Sequence, residues 1–85
     1  MSSISIRWER RAVKELQSLS QREQQRVYDA VTALRDNPLK GKALSGRWKG
    51  LRRLRVGARR VIYAFDGTAL FVSVVRVGHR REVFR

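Results

Sequence analysis

The chain has 85 residues, 42% of them hydrophobic, enough for one small domain (residues 1–85) around one modest core. Twenty Lys and Arg stand against seven Asp and Glu, a formal net charge of +13, and there is no Cys, which excludes disulfides and thiolate metal sites. One His and seven scattered acids argue against structural zinc, and no apolar run approaches the roughly 20 residues of a membrane span, so a cytoplasmic protein with no cofactor, no metal and no membrane contact is expected.

The first element is a strand. From Ser3 to Trp8 the sequence alternates, with Ile4, Ile6 and Trp8 facing one way and Ser3, Ser5 and Arg7 the other. Arg10 to Ser18 predicts a short helix with Ala12, Val13, Leu16 and Leu19 as its inner stripe. Ser20-Gln21-Arg22-Glu23 matches a capping box, in which Ser20 caps and Glu23 reaches back to its amide. A second helix then runs to about Arg35, with Val27, Val31 and Leu34 inward, and Asn37-Pro38 ends it because the residue before Pro is pushed out of the helical region.

Residues 38–47 read as a Gly/Lys loop with Leu44 as its apolar anchor. Three strands follow: Trp48 to Val56, Arg59 to Phe65 and Thr68 to Val77. Val56-Gly57-Ala58 joins the first two, and Asp66-Gly67 signals a tight hairpin before the third. The order β-α-α-β-β-β predicts an α+β domain: a four-stranded, mostly antiparallel sheet with an N-terminal helical hairpin packed on one face and the other face open. Leu54, Val61, Val72 and Val74 are the expected core.

The charge is uneven. Residues 39–60 carry nine bases (Lys40, Lys42, Arg47, Lys49, Arg52, Arg53, Arg55, Arg59 and Arg60) and no acid. A charge run is most often a solvated surface. Here the bases are threaded through strand-like apolar sequence, which holds them at fixed positions. Strand alternation puts Arg53 and Arg55 on one face and Leu54 and Val56 on the other. Arg60, across the turn, reaches the face of Arg53 and Arg55, and Arg76, Arg80 and Arg81 come at or beyond the end of the last strand. Guanidiniums held this close repel one another, and the partner that offsets the repulsion is a polyanion, foremost the nucleic-acid backbone. His79, the one imidazole in the chain, is a candidate catalytic group, though a turn residue packed beside the last strand is the plainer reading. Trp8, Trp48 and Tyr63 sit on strand-like periodicity and read as core or rim residues.

Three stretches carry a family resemblance: Asn37-Pro38 with Gly41-Lys42-Ala43-Leu44-Ser45-Gly46, then Arg53-Leu54-Arg55-Val56-Gly57-Ala58-Arg59-Arg60-Val61-Ile62-Tyr63, and Gly78-His79-Arg80-Arg81-Glu82-Val83-Phe84. In order and spacing they resemble the RelE/ParE superfamily of bacterial toxin–antitoxin toxins over nearly the whole chain, and the terminal motif leans toward RelE. The resemblance implies a type II toxin that is a metal-independent, ribosome-dependent mRNA endoribonuclease and inhibits translation. The ribose 2′-OH attacks the adjacent phosphate, leaving a cyclic phosphate and a free 5′-OH. Carried over by position, Arg60 matches the phosphate-contacting strand arginine, Arg53 and Arg55 the basic strand residues, and Arg80 or Arg81 the C-terminal arginine. Lys49, Arg52, Arg59 and Phe84 are the implied RNA contacts. Phe84 stands where the family has a tyrosine, Arg59 where an aromatic residue is usual and Ala58 where Asp is usual. The proton acceptor is therefore open among His79, an arginine-rich site that lowers the 2′-OH pKa, and the ribosome. The implied partners are an acidic, RelB-like antitoxin lying over residues 47–60 and the C-terminal tail, the ribosome with its mRNA, and operator DNA only through the antitoxin complex. A ParE-like inhibitor of DNA gyrase, or a non-catalytic basic domain that binds RNA or the antitoxin, stays open beside the nuclease.

Overall fold

The structure is a computed structural model that describes residues 3–79. Its elements are β1 (Ser5–Trp8), α1 (Arg10–Gln17), α2 (Gln21–Thr32), β2 (Lys42–Ala43), β3 (Arg52–Val56), β4 (Arg59–Asp66) and β5 (Phe71–His79). The strands form one mixed sheet in the order β1-β5-β4-β3-β2, with β1 parallel to β5 and the other pairs antiparallel.

The helices form where the sequence directs. Ser20 caps α2, its hydroxyl accepting from the Glu23 amide at 3.2 Å. The capping box closes only in this half, because the Glu23 carboxylate is engaged by Arg59 at 3.2 Å. A 3₁₀ turn at Ala33–Arg35 tightens the end of α2 before Asn37-Pro38. Ala12 of α1 and Val27, Val31 and Leu34 of the second helical segment pack on Leu54, Val61, Tyr63, Val72, Val74 and Val77. This single cluster puts both helices on one face of the sheet. It contains the four expected core residues, all buried.

The α+β class and the helical hairpin agree with the sequence, and three details differ. The sheet has five strands rather than four: Lys42–Ala43, expected as loop, pairs with Arg53 and Arg52 at the edge of β3. Two residues are too few to show any periodicity. The strand expected to begin at Trp48 begins at Arg52, because Gly46–Trp48 form a 3₁₀ turn, with Gly46 at its start and Gly50 beyond it both left-handed. The β4–β5 hairpin has a four-residue loop, Gly67 to Leu70, since Asp66 pairs with Phe71. There Asp66 Oδ1 accepts from the amides of Thr68 and Ala69 at 2.9 and 2.8 Å, so the aspartate builds a wider turn on its own side chain. The β3–β4 turn is the expected two-residue one. Gly57 has φ +61° at its first central position, as a type II′ turn requires.

One irregularity in β5 shapes the sheet. Ile62 pairs with Arg76 and Tyr63 with Val74, so Val75 is an extra residue in the strand. This bulge lets Val74 and Val77, three apart, both reach the core.

Candidate nucleic-acid interface

The face opposite the helices gathers the strand arginines. Arg55 pairs directly with Arg60, and Arg53 stands between Lys42 on β2 and Ile62 on β4. Alternation puts Leu54 and Val61 in the core, so Arg53, Arg55 and Arg60 share the other side. On its far side Arg60 meets Gly78, which has no side chain. Two rows therefore cross the sheet, Lys42–Arg53–Ile62–Arg76 and Arg55–Arg60–Gly78, and neither holds an acid. Directly paired side chains stand about 5 Å apart at Cβ. Arg55 is exposed, Arg53 half-buried, and Arg60 only 7% exposed. Arg60 Nη1 donates to the Arg59 carbonyl at 3.1 Å, which helps fix the guanidinium against its own strand.

Such an arrangement has a definite chemical capacity. An anion lying on Arg55 and Arg60 meets one guanidinium from solvent and one already desolvated. Forked N–H donors suit phosphate oxygens, and their charge acts more strongly where water is displaced.

The remaining sequence candidates are placed elsewhere. Arg52 is opposite Tyr63, and its Nη1 donates to the carbonyls of Gly41 (2.7 Å) and Leu39 (3.3 Å). Arg59 pairs with Glu23 on α2. His79 is opposite Arg59 at the end of β5, in register with the helix-bearing side. Lys49 is exposed at the end of the 3₁₀ turn before β3. Arg52, Arg59 and His79 are thus not brought together with Arg53, Arg55 and Arg60. Arg80, Arg81 and Phe84 lie outside the described residues. Trp8 packs against the core from β1, and Trp48 is half-buried with Arg47 5.4 Å from its ring.

Tyr63 explains the Asn37-Pro38…Gly41 stretch. Its buried hydroxyl donates to the Pro38 carbonyl at 2.8 Å and accepts from the Gly41 amide at 2.9 Å. Burial pushes its pKa up, opposed by the Gly41 hydrogen bond and the Arg52 charge. A Cβ on Gly41 would come within 2.7 Å of the Tyr63 ring and 2.9 Å of the Arg53 carbonyl. The motif is thus a loop locked onto the underside of β3 and β4, and it holds β2 beside Arg53.

Sequence reasoning missed two contributors. Lys42 extends the basic row from a strand too short to detect. Arg76, expected at or beyond the end of its strand, lies inside β5 and is held by Glu15 of α1 at 3.0 Å. No group of three or more potential metal ligands occurs among the described residues, and no helix among them is long and apolar enough to cross a membrane.

Residues 6–84 match the family model of the ParE toxin of type II toxin–antitoxin systems, parDE. The fold is similar to the toxin–antitoxin complex RelBE2 from Mycobacterium tuberculosis (TM-score 0.85, 29% identity, covering 91% of this chain and 98% of that one). It is similar to the RelE–RelB complex of Pyrococcus horikoshii (TM-score 0.81, 24% identity, 98% and 100% covered). It also resembles a free RelE mutant from E. coli (TM-score 0.80, 20% identity, 99% and 90% covered). No curated protein sequence matches.

Proposed function

Since the chain belongs to the ParE toxin family of type II toxin–antitoxin systems, within the RelE/ParE superfamily, we propose that it is an endoribonuclease of the RelE kind, cleaving mRNA on the ribosome without a metal and so inhibiting translation. The observation that carries this reading is the pairing of exposed Arg55 with buried Arg60 on the open face, with Arg53 alongside. Guanidiniums fixed side by side suit the negative charge that grows on a phosphorane, and supporting that charge is the chemistry such a pair serves best.

In the proposed reaction the 2′-oxygen attacks phosphorus, the bond to the 5′-oxygen breaks, and the proton lost from the 2′-OH is balanced by one gained at the 5′-oxygen. Negative charge grows on the non-bridging oxygens in the transition state. Arginines fixed beforehand favour that state over the ground state. They also lower the pKa of the 2′-OH. With His79 registered to the other face, the arginine field and the ribosome are the stronger candidates for promoting deprotonation. Arg80 or Arg81 and Phe84 complete the proposed site, Phe84 as a stacking surface.

The proposal includes an acidic antitoxin that covers the basic face and carries the toxin to operator DNA. RelBE2 and the RelE–RelB complex, similar in fold, are toxin–antitoxin complexes. Charge favours the same pairing: a net charge of +13 needs an anionic cover. The family match itself favours a second reading, inhibition of DNA gyrase. Primer extension on translated mRNA, set beside a gyrase supercoiling assay, separates the two. Cleavage within codons with supercoiling intact supports the nuclease, whereas loss of supercoiling without cleavage rejects it.

A further inference from the structure

The open face carries a second feature, far from Arg60. Ile6 and Trp8 of β1 and Val72 and Val74 of β5 turn toward the core, so their alternates Arg7, Phe71 and Ser73 turn the other way. There the Arg7 guanidinium lies 4.1 Å from the centroid of the Phe71 ring. Phe71 is half-buried and Arg7 exposed, and Arg7 makes no ion pair with an acid among the described residues.

We infer that Arg7 and Phe71 form a stacking platform for a nucleobase of single-stranded RNA, flanking the nucleotide whose phosphate lies at Arg55 and Arg60. The inference rests on the reading of the arginine face as an RNA surface, and it extends the site along the strand. A guanidinium held flat by an aromatic ring keeps its second face for another planar group, and unpaired bases stack readily on arginine planes and aromatic rings. A simple cover for Phe71 would need only an alkyl stem. A ring beneath a solvent-facing guanidinium offers more.

The surroundings favour a base over a phosphate. Two carboxylates stand nearby. Glu9 accepts from the Ser73 hydroxyl at 3.1 Å, and Asp66, the register partner of Phe71, closes the β4–β5 turn. Their charge repels a phosphate and leaves a neutral base untouched. Between the two places the same face carries the small pair Ala64 and Ser73 and then Ile62 and Arg76. From Phe71 to Gly78, beside Arg60, the strand rise gives about 20 Å. A few nucleotides of extended RNA cover that span.

The test uses the wild-type chain with 2′-O-methyl RNA, which lacks the attacking hydroxyl, carrying a single 2-aminopurine. A decanucleotide reaches both places and a trinucleotide only one. Phe71→Leu and Arg7→Lys should each weaken decanucleotide binding by about tenfold, the lower part of the range for a lost base stack, and leave the trinucleotide held at the arginine cluster nearly unaffected. Phe71→Tyr should bind as wild type does. Arg7→Lys keeps the charge, so the salt dependence should not change while the fluorescence quenching is lost. If both variants bind the decanucleotide as tightly as wild type, or lose both RNAs equally, the platform is overturned while the RNA surface stands. If wild type binds neither RNA, the platform is overturned, and primer extension on translated mRNA decides the nuclease reading separately.

Discussion

Arg55 and Arg60 stand directly opposite each other on β3 and β4, one exposed and the other 7% exposed. Like charges in a direct cross-strand pair are destabilising by a few tenths to about 1 kcal/mol. The sheet tolerates the repulsion where a bound phosphate removes it. Arg55→Thr should therefore raise stability by about 0.5 kcal/mol, since Thr also suits a strand. The same variant should cleave mRNA less. Chemical denaturation and primer extension on one preparation check both signs. A variant that is less stable, or equally active, contradicts the trade-off.

Arg60 carries the larger consequence. Its guanidinium is the desolvated member of the pair, so its charge acts on a bound phosphate in the lowest local dielectric. Arg60→Ala should abolish growth arrest while the protein folds and still captures its antitoxin. Arg53→Ala and Arg55→Ala should each be partly defective. Growth arrest with mRNA cleavage intact in Arg60→Ala would remove the arginine-cluster mechanism.

Much of this was legible because strands expose their logic in sequence. Alternation in Arg53-Leu54-Arg55-Val56 fixed which residues turn inward, and Gly57-Ala58 fixed the register that sets Arg55 on Arg60. The same parity, carried further, separates Arg59 and His79 from Arg60, because each one-residue step reverses the face. What stayed hidden depends on contacts distant in the chain. Lys42–Ala43 is a strand only because Tyr63, about twenty positions on, anchors the loop before it. Arg52 looks like one more base in a basic run, yet it holds the carbonyls of Leu39 and Gly41. The bulge at Val75, which brings Val77 into the core, leaves no mark in a stretch that carries apolar residues on both faces.

The Tyr63 lock makes a stability prediction with a pH signature. Gly41→Ala should cost about 1–3 kcal/mol by overpacking against the ring and the Arg53 carbonyl. Tyr63→Phe leaves the Gly41 amide and the Pro38 carbonyl without their partner, a penalty of about 1–3 kcal/mol. Burial raises the Tyr63 pKa above its ordinary value of 10.0. The unfolded chain therefore loses this proton first as pH rises. Stability from this group is complete below pH 10, declines above it and is lost as pH passes the raised folded value. Tyr63→Phe should be less stable at neutral pH but show a flatter decline above pH 10, measured by denaturation midpoints across alkaline buffers.

Leu70 is left-handed at φ 57° without being glycine, at the end of the β4–β5 loop. That conformation costs a side-chain-bearing residue about 1–2 kcal/mol, part of which glycine returns as unfolded-state entropy. Leu70→Gly should raise stability by about 0.5 kcal/mol and leave cleavage unchanged, since residue 70 lies outside the arginine rows. A lower melting temperature would show that the Leu70 side chain contributes more by packing than its backbone loses.

Glu15 joins helix to sheet at the one place where β5 has outrun its parallel partner. β1 ends at Trp8, opposite Val74, so among the described residues the β5 backbone beyond it has no neighbouring strand on that side. Glu15 Oε1 accepts from the Val77 amide at 2.9 Å, and its carboxylate receives the Arg76 fork at 3.0–3.2 Å. One side chain thus replaces a ladder bond and neutralises a guanidinium that is 7% exposed. Glu15→Ala should cost about 1–3 kcal/mol, because the Val77 amide loses its acceptor and Arg76 loses this half-buried carboxylate. Glu15→Gln should cost less, because its carbonyl oxygen still accepts from Val77. Hydrogen exchange sharpens the test. In Glu15→Ala the Val77 amide should lose protection well beyond the global change in stability, while in Glu15→Gln it should follow that change. Equal protection of Val77 in the two variants would show that the carboxylate serves Arg76 alone.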